Sequence, residues 1–430
     1  MISENLKTSF FILSIYFFGL KFFQSTPIEA TMSVAHFLFL ILMGSLVFLK
    51  QITKTQQSKG LNFYSIYFLS FIFIVPLWSM FRSNIALDQP YYYGFLSERG
   101  WLVICSGIVL HNIITSNPNR IKLIENLFIK FAFITLFIYS FIYLTFDLSQ
   151  YEEYKFVSES DLRGYRLKLN IFFINFGIIY SLIKFFDKKS VYNFFLFLVF
   201  FIYTLFVVQG RAHLLQIFLI CTIYFIMNQY NYSFARRVSN TTLLIFSTFF
   251  IFFFLFLLNP DFISNLVFSI TQLFTVIGGN ISYDASANSR IVQAIIAFDV
   301  INQNYDNLWF GVGKISKQWG YNSDGLSYLF GHFYPADIGI LGGVFQYGLL
   351  GLFFLWFIPI VICFKIIKKV PISHNNRFIV SLKFLLIFYI ISSFNTGNFF
   401  FTFQEIILIM YILLAFIDLE NASGNTEFSK

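Results

Sequence analysis

Arg211, Arg290 and His332 have the side-chain types and settings best suited to chemistry in this chain. A guanidinium is a planar fork of donors that matches phosphate oxygens. An imidazole can take up a proton near neutral pH. Arg211 lies in Val207-Val208-Gln209-Gly210-Arg211-Ala212-His213, inside a connection too short to reach bulk water, and Gly210 lets the backbone approach a ligand or a neighbouring helix. Its guanidinium either meets an anionic headgroup or snorkels to the interface. Arg290, in Asn288-Ser289-Arg290, opens an amphipathic helix near the positive end of the helix dipole. A base is unfavourable there unless an anion comes to meet it, the alternative being a solvated loop arginine. His332 follows Gly331 and precedes Asp337, which would orient the imidazole or mark a helix start as an N-cap-like residue. Arg163, in Asp161-Leu162-Arg163-Gly164-Tyr165-Arg166, offers phosphate or sugar contacts, or a surface salt bridge to Asp161 or Glu159.

Other motifs are narrower. Phe310-Gly311-Val312-Gly313 has no phosphate-binding Lys and follows no strand, so it is no P-loop. Glu98-Arg99, at the end of an apolar run, reads as an internal ion pair, and Gly339, Gly342, Gly343, Gly348 and Gly351 as a helix-packing series. Carboxylates show no Asp-x-Asp or paired-His spacing, so no metal site is expected and arginines would stand in for a divalent cation. Cys105, Cys221 and Cys363 fall in apolar runs without CxxC spacing.

The elements that must hold these groups are hydrophobic helices. Apolar residues make up 57% of the chain and charged residues 12%, and Phe alone supplies 65 of 430 positions, more aromatic surface than a water-soluble fold can hide. The apolar segments are continuous and lack a period of two, which excludes a barrel. About twelve runs approach bilayer-spanning length: 9–24, 33–49, 62–81, 95–115, 125–146, 168–184, 191–208, 212–228, 241–258, 338–364, 378–394 and 399–417. The first is read as a retained span, because no small-residue cleavage pattern follows it. The net charge of +8 sits in clusters between alternate runs, such as Lys184, Lys188 and Lys189 or Lys365, Lys368 and Lys369, which puts both termini in the cytoplasm and gives no sign of nucleic acid binding. Bases on the other side go against this bias, so Arg82, Arg99, Lys155, Lys168, Lys314 and Lys317 each call for a partner.

The expected organisation is all-α and polytopic: spans one to nine in 1–258, a large outward loop at 259–336, three further spans in 337–417 and a cytoplasmic tail at 418–430. Within the loop, residues 262–276 show a helical apolar face suited to the interface. Ser289 would cap a second amphipathic helix with Ile291, Ile295, Phe298 and Ile301 on one side.

Taken together, Gly210-Arg211, the loop opened by Asn288-Ser289-Arg290, Phe310-Gly311-Val312-Gly313, His332 and the span from Gly339 to Gly351 resemble the O-antigen polymerase and O-antigen ligase superfamily. The likeness covers about residues 195–365. One position departs: the family often has Asn or Ser directly after the loop His, where this chain has Phe333. The resemblance implies a cofactor-free glycosyltransferase of the inner membrane that uses polyprenyl-pyrophosphate-linked oligosaccharide as donor, for polysaccharide or lipopolysaccharide synthesis. It makes Arg211, Arg290 and His332 catalytic and Arg163, Arg166, Tyr334 and Asp337 substrate-binding, with Trp309, Trp319 and Tyr321 further aromatics for sugar faces. Membrane lipids and a chain-length regulator protein are the implied partners. A polymerase is favoured over a ligase acting on lipid A core, because Arg163 and Arg166 offer a second carrier a place to dock. A lipid-linked glycan flippase or transporter is the reading from another class; few charges lie inside the spans, Glu405 being the main exception.

Overall fold

The computed structural model describes residues 4–20, 29–52, 63–151, 157–158, 165–229, 285–316, 333–372, 375–401 and 403–427, with single positions such as Trp319 and Phe330 between them. Their first half forms α1 (Glu4–Ser14), α2 (Glu29–Ile52), α3 (Phe63–Leu87), α4 (Tyr91–Ser97), α5 (Val103–Ser116), α6 (Arg120–Thr145), α7 (Phe172–Lys188), α8 (Val191–Tyr203) and α9 (Arg211–Gln229). There follow α10 (Ala285–Asn302), α11 (Tyr305–Phe310), α12 (Ile340–Gly351), α13 (Ile358–Lys369), α14 (Arg377–Thr396), α15 (Asn398–Phe401) and α16 (Phe403–Glu427). Five of the described helices are long and apolar enough to cross a bilayer: α3, α6, α8 with its extension to Val208, α12 continuing through α13, and α14. Thr8–Phe18, Met32–Val47 and Ala212–Asn228 are shorter apolar stretches. The protein is thus all-helical and built for a membrane, with one addition the apolar pattern did not predict. β1 (Val157–Ser158) and β2 (Arg166–Leu167) form an antiparallel ribbon with Ser158 opposite Arg166. The expected run 241–258 and the interfacial helix at 262–276 fall, single positions aside, outside the described residues.

Contacts divide the chain into two units, one of residues 1–131, 290–370 and 381–430, the other of 132–289 and 371–380. In the first, every residue of α16 from Ile406 to Ile417 is buried, as suits a helix that is apolar all round. Gly107 of α5 sits so close to α16 that a Cβ there would overlap the Tyr411 ring and Ile407. Small residues allow such approach where lipid supplies no hydrophobic drive between helices. In the second unit Gly177 of α7 faces the Phe200 ring of α8 in the same way. There Arg377 pairs with Asp187, and Phe378 meets Phe176 edge-on.

Candidate functional site

Between α11 and the loop that leads to α12, the chain runs extended as a strap over a break in a spanning helix. Gly348 leaves the helical region at φ +68° and ψ −171°, which interrupts α12 and strips carbonyls of their normal partners. The strap supplies replacements: Val312 N–H donates to Phe345 O at 2.9 Å, and Gly313 N–H to Gln346 O at 2.8 Å. Gly311 and Gly348 lie back to back, since a Cβ on the first would overlap the Gln346 carbonyl and one on the second the Trp309 carbonyl. Phe310-Gly311-Val312-Gly313 therefore mends a broken helix inside an apolar protein, where unpaired backbone is costly.

The same strap holds two of the bases that called for partners, Arg82 and Lys314. Arg82 Nε donates to Gly311 O at 2.9 Å and its terminal nitrogen to Asn307 Oδ1 at 3.0 Å, so it closes the end of α11. Lys314 Nζ lies 3.3 Å from Glu98 Oε2. Glu98 is fully buried and also accepts from Trp101 Nε1 at 3.0 Å and Tyr347 Oη at 2.8 Å. This corrects the Glu98-Arg99 pairing: Arg99 is exposed, and adjacent residues on a helical backbone do not face each other. Gln89, which is buried, binds the Lys314 carbonyl through Nε2 and Ser316 N–H through Oε1, and it completes the clasp.

The helix that bears Arg290 differs from expectation in start and in face. α10 is already helical at Ala285, so Ser289 lies within it and is not its N-cap, and Arg290 lies inside the helix and not at its opening. The packed face is Gln293, Ala297, Val300 and Ile301, whereas Ile295 and Phe298 of the expected face are each 54% exposed. The outward face of this helix is apolar too, so hydrophobicity alone does not tell inside from outside. Arg290, one turn before Gln293 and Ala294, continues the packed face beyond its core and is exposed at the rim.

The segment after His332 lands on that rim. Phe333 is fully buried between Phe330 and Phe345, in one core with Ala297 and Val312. Tyr334 N–H donates to Gln293 Oε1 at 2.8 Å, and Tyr334 O accepts Asp337 N–H at 2.9 Å. Pro335–Ile338 is a 3₁₀ turn seated on Gly342, which has no room for a Cβ beneath the Pro335 carbonyl. Asp337 is exposed within this turn; the residue before α12 is Gly339, with no side-chain cap, so the N-cap-like reading of Asp337 does not hold. Arg290, Tyr334 and Asp337 are thus carried by two segments that one buried glutamine joins.

In the other unit the tight hairpin is as expected. α8 widens into a π-helical turn to Val208, Gln209 adopts a left-handed conformation at φ +50°, and α9 starts at Arg211. A non-glycine residue in that region costs on the order of 1 kcal/mol, offset here because Gln209 Nε2 donates to Phe206 O at 2.8 Å and Tyr165 O at 3.3 Å. The second bond ties the Arg166 strand to the hairpin that precedes Arg211. Arg166 is half-buried. The side chain of Arg211, and Arg163, His332, Lys155, Lys317 and Tyr321 altogether, lie outside the described residues. Trp309 is 47% exposed, while Trp319 packs against the core beside α10.

Sequence reasoning missed Gln293, Gln209 and the partner of Glu98. The first two had a signal, a lone Gln among apolar neighbours, since buried amides are held only where they hydrogen-bond. Compared with protein-family models and with curated proteins, the chain matches none.

Proposed function

We propose that the protein is a polysaccharide polymerase, a membrane glycosyltransferase that joins polyprenyl-pyrophosphate-linked oligosaccharides at the outer face of the inner membrane. It has about twelve spans, cytoplasmic termini and an outward loop that contains α10 and α11. The acceptor sugar hydroxyl attacks the anomeric carbon of the donor glycan; the new C–O bond forms as the bond to phosphate breaks, and lipid pyrophosphate leaves. His332 takes the hydroxyl proton. Arg211 and Arg290 are the guanidinium groups assigned to the charge that grows on the departing diphosphate, which such donors stabilise best in a partly dry site. Arg163, Arg166, Tyr334 and Asp337 hold the glycans and the second carrier.

The observation that carries this reading is the Gln293–Tyr334 bond, which holds the turn that follows His332 against the helix that bears Arg290. The transporter alternative would use the break at Gly348 as an ion or substrate site. Its freed carbonyls at Phe345 and Gln346 are already taken by Val312 and Gly313, which favours the enzyme. The test is protein in lipid nanodiscs with polyprenyl-pyrophosphate-linked repeat units, read by the lengths of the glycans formed. Wild type gives a ladder of lipid-linked chains, and Arg290→Ala and Arg211→Ala each slow it about 10²-fold or more. Unchanged rates in both variants refute the reading, and transfer to lipid A core alone makes it a ligase.

A further inference from the structure

The Tyr334–Asp337 turn is held by named contacts on its inner side. Phe333 before it is buried, Pro335 is buried on Gly342, and the Tyr334 carbonyl is used by Asp337 N–H. The Tyr334 N–H reaches across to α10, where Gln293 Oε1 accepts it at 2.8 Å. Gln293 is 1% exposed and lies three residues after Arg290, hence on the same side of the helix one turn further in. A leucine of similar volume would fill the site equally well but offer the Tyr334 N–H no acceptor, so packing alone gives no reason for an amide here.

We infer that Gln293 is a positioning residue for glycosyl transfer, setting the distance between the Arg290 guanidinium and the sugar-binding turn of Tyr334 and Asp337. The inference rests on the glycosyltransferase reading and deepens it. The diphosphate of the donor and the glycan beside it are held from two segments, and the amide fixes their spacing. An error of about 1 Å in such spacing costs on the order of 10²-fold in rate.

The test compares Gln293→Leu, which removes the acceptor, with Gln293→Glu, which keeps an oxygen in place. Each is measured in nanodiscs with lipid-linked repeats, alongside amide exchange of the 333–338 segment. Gln293→Leu is expected to lower kcat/KM about 10²-fold and to speed exchange at Tyr334, and Gln293→Glu to restore both to within about threefold of wild type. Equal kcat/KM in wild type and Gln293→Leu overturns the proposal, as does failure of Gln293→Glu to rescue. Should Gln293→Leu not fold, wild-type exchange at Tyr334 as fast as at an open turn overturns it, and slow exchange with rescue by Gln293→Glu supports it. If wild type leaves the repeats unjoined while Tyr334 exchange stays slow, the glycosyl-transfer reading falls, and this role with it, while the bond stands.

Discussion

Replacing Lys314 by Met keeps the length of the side chain and removes the only cation on Glu98 among the described residues. The carboxylate would keep Trp101 Nε1 and Tyr347 Oη but lose the ammonium 3.3 Å away, with no exposure to water in exchange. At an effective dielectric constant near 20, two unit charges at that distance attract by about 5 kcal/mol. The Lys314 side chain is 30% exposed, so solvent screens part of this, and roughly 3 kcal/mol is the expected loss. Glu98→Gln leaves Lys314 free to turn to water and should cost only about 1 kcal/mol. The double variant should then cost about 2 kcal/mol less than the sum of the singles, because no charge is left stranded. Reversible unfolding in mixed micelles, followed by tryptophan fluorescence, gives all three values. Strict additivity, or a Lys314→Met protein as stable as wild type, refutes the view that this pair fastens the strap to the spanning helices.

Two further outcomes follow from local geometry. Gly348→Ala must place a Cβ against the Trp309 carbonyl at φ +68°, so strain of about 1–2 kcal/mol adds to overpacking of about 1–3 kcal/mol; the variant should unfold at clearly lower denaturant, and an unchanged midpoint would show that the break is not enforced. Asp147 lies beyond the end of α6, where the Ser149 hydroxyl, the Ser149 N–H and, to a lesser degree, Gln150 hold its carboxyl below the usual carboxylate range. What these bonds contribute is present above the ordinary carboxylate range and is lost as pH falls through the lowered value. Ser149→Ala should move that loss to higher pH, measured by a ¹³C-carboxyl titration assigned with Asp147→Asn, and an unmoved titration counts against the hydroxyl as the main cause.

How much of this was legible in the sequence depends on the range over which each interaction acts. Apart from 168–170, which are coil ahead of α7, a described residue in an expected apolar run is in a helix or at a helix end, because twenty-odd apolar side chains and their backbone bonds are a local property. The Gln209-Gly210-Arg211 hairpin was legible for the same reason. What failed needed a partner distant in the chain. Glu98 was matched to the charge beside it, yet neighbours along a helix point about 100° apart, and the real partner lies on a strap that only folding brings near. Phe310-Gly311-Val312-Gly313 could be denied a phosphate role from its composition, but its actual role required knowing that Gly348 breaks α12 opposite it.

The face of α10 failed for a different reason. Its outward stripe of Val292, Ile295 and Phe298 is as apolar as a core stripe, so the hydrophobic signal that orients a helix in water carries no direction here. In that setting the polar exception tells more than the apolar majority. Gln293 is the one amide on the packed side between Arg290 and Asn302, and burying it without a partner would cost more than burying leucine. Its presence therefore marks where another segment must arrive. The Tyr334 N–H does so, and in the same step the turn that holds Asp337 is brought to the rim where Arg290 emerges. The position of a buried amide, more than the loop's charges, shows which segments meet.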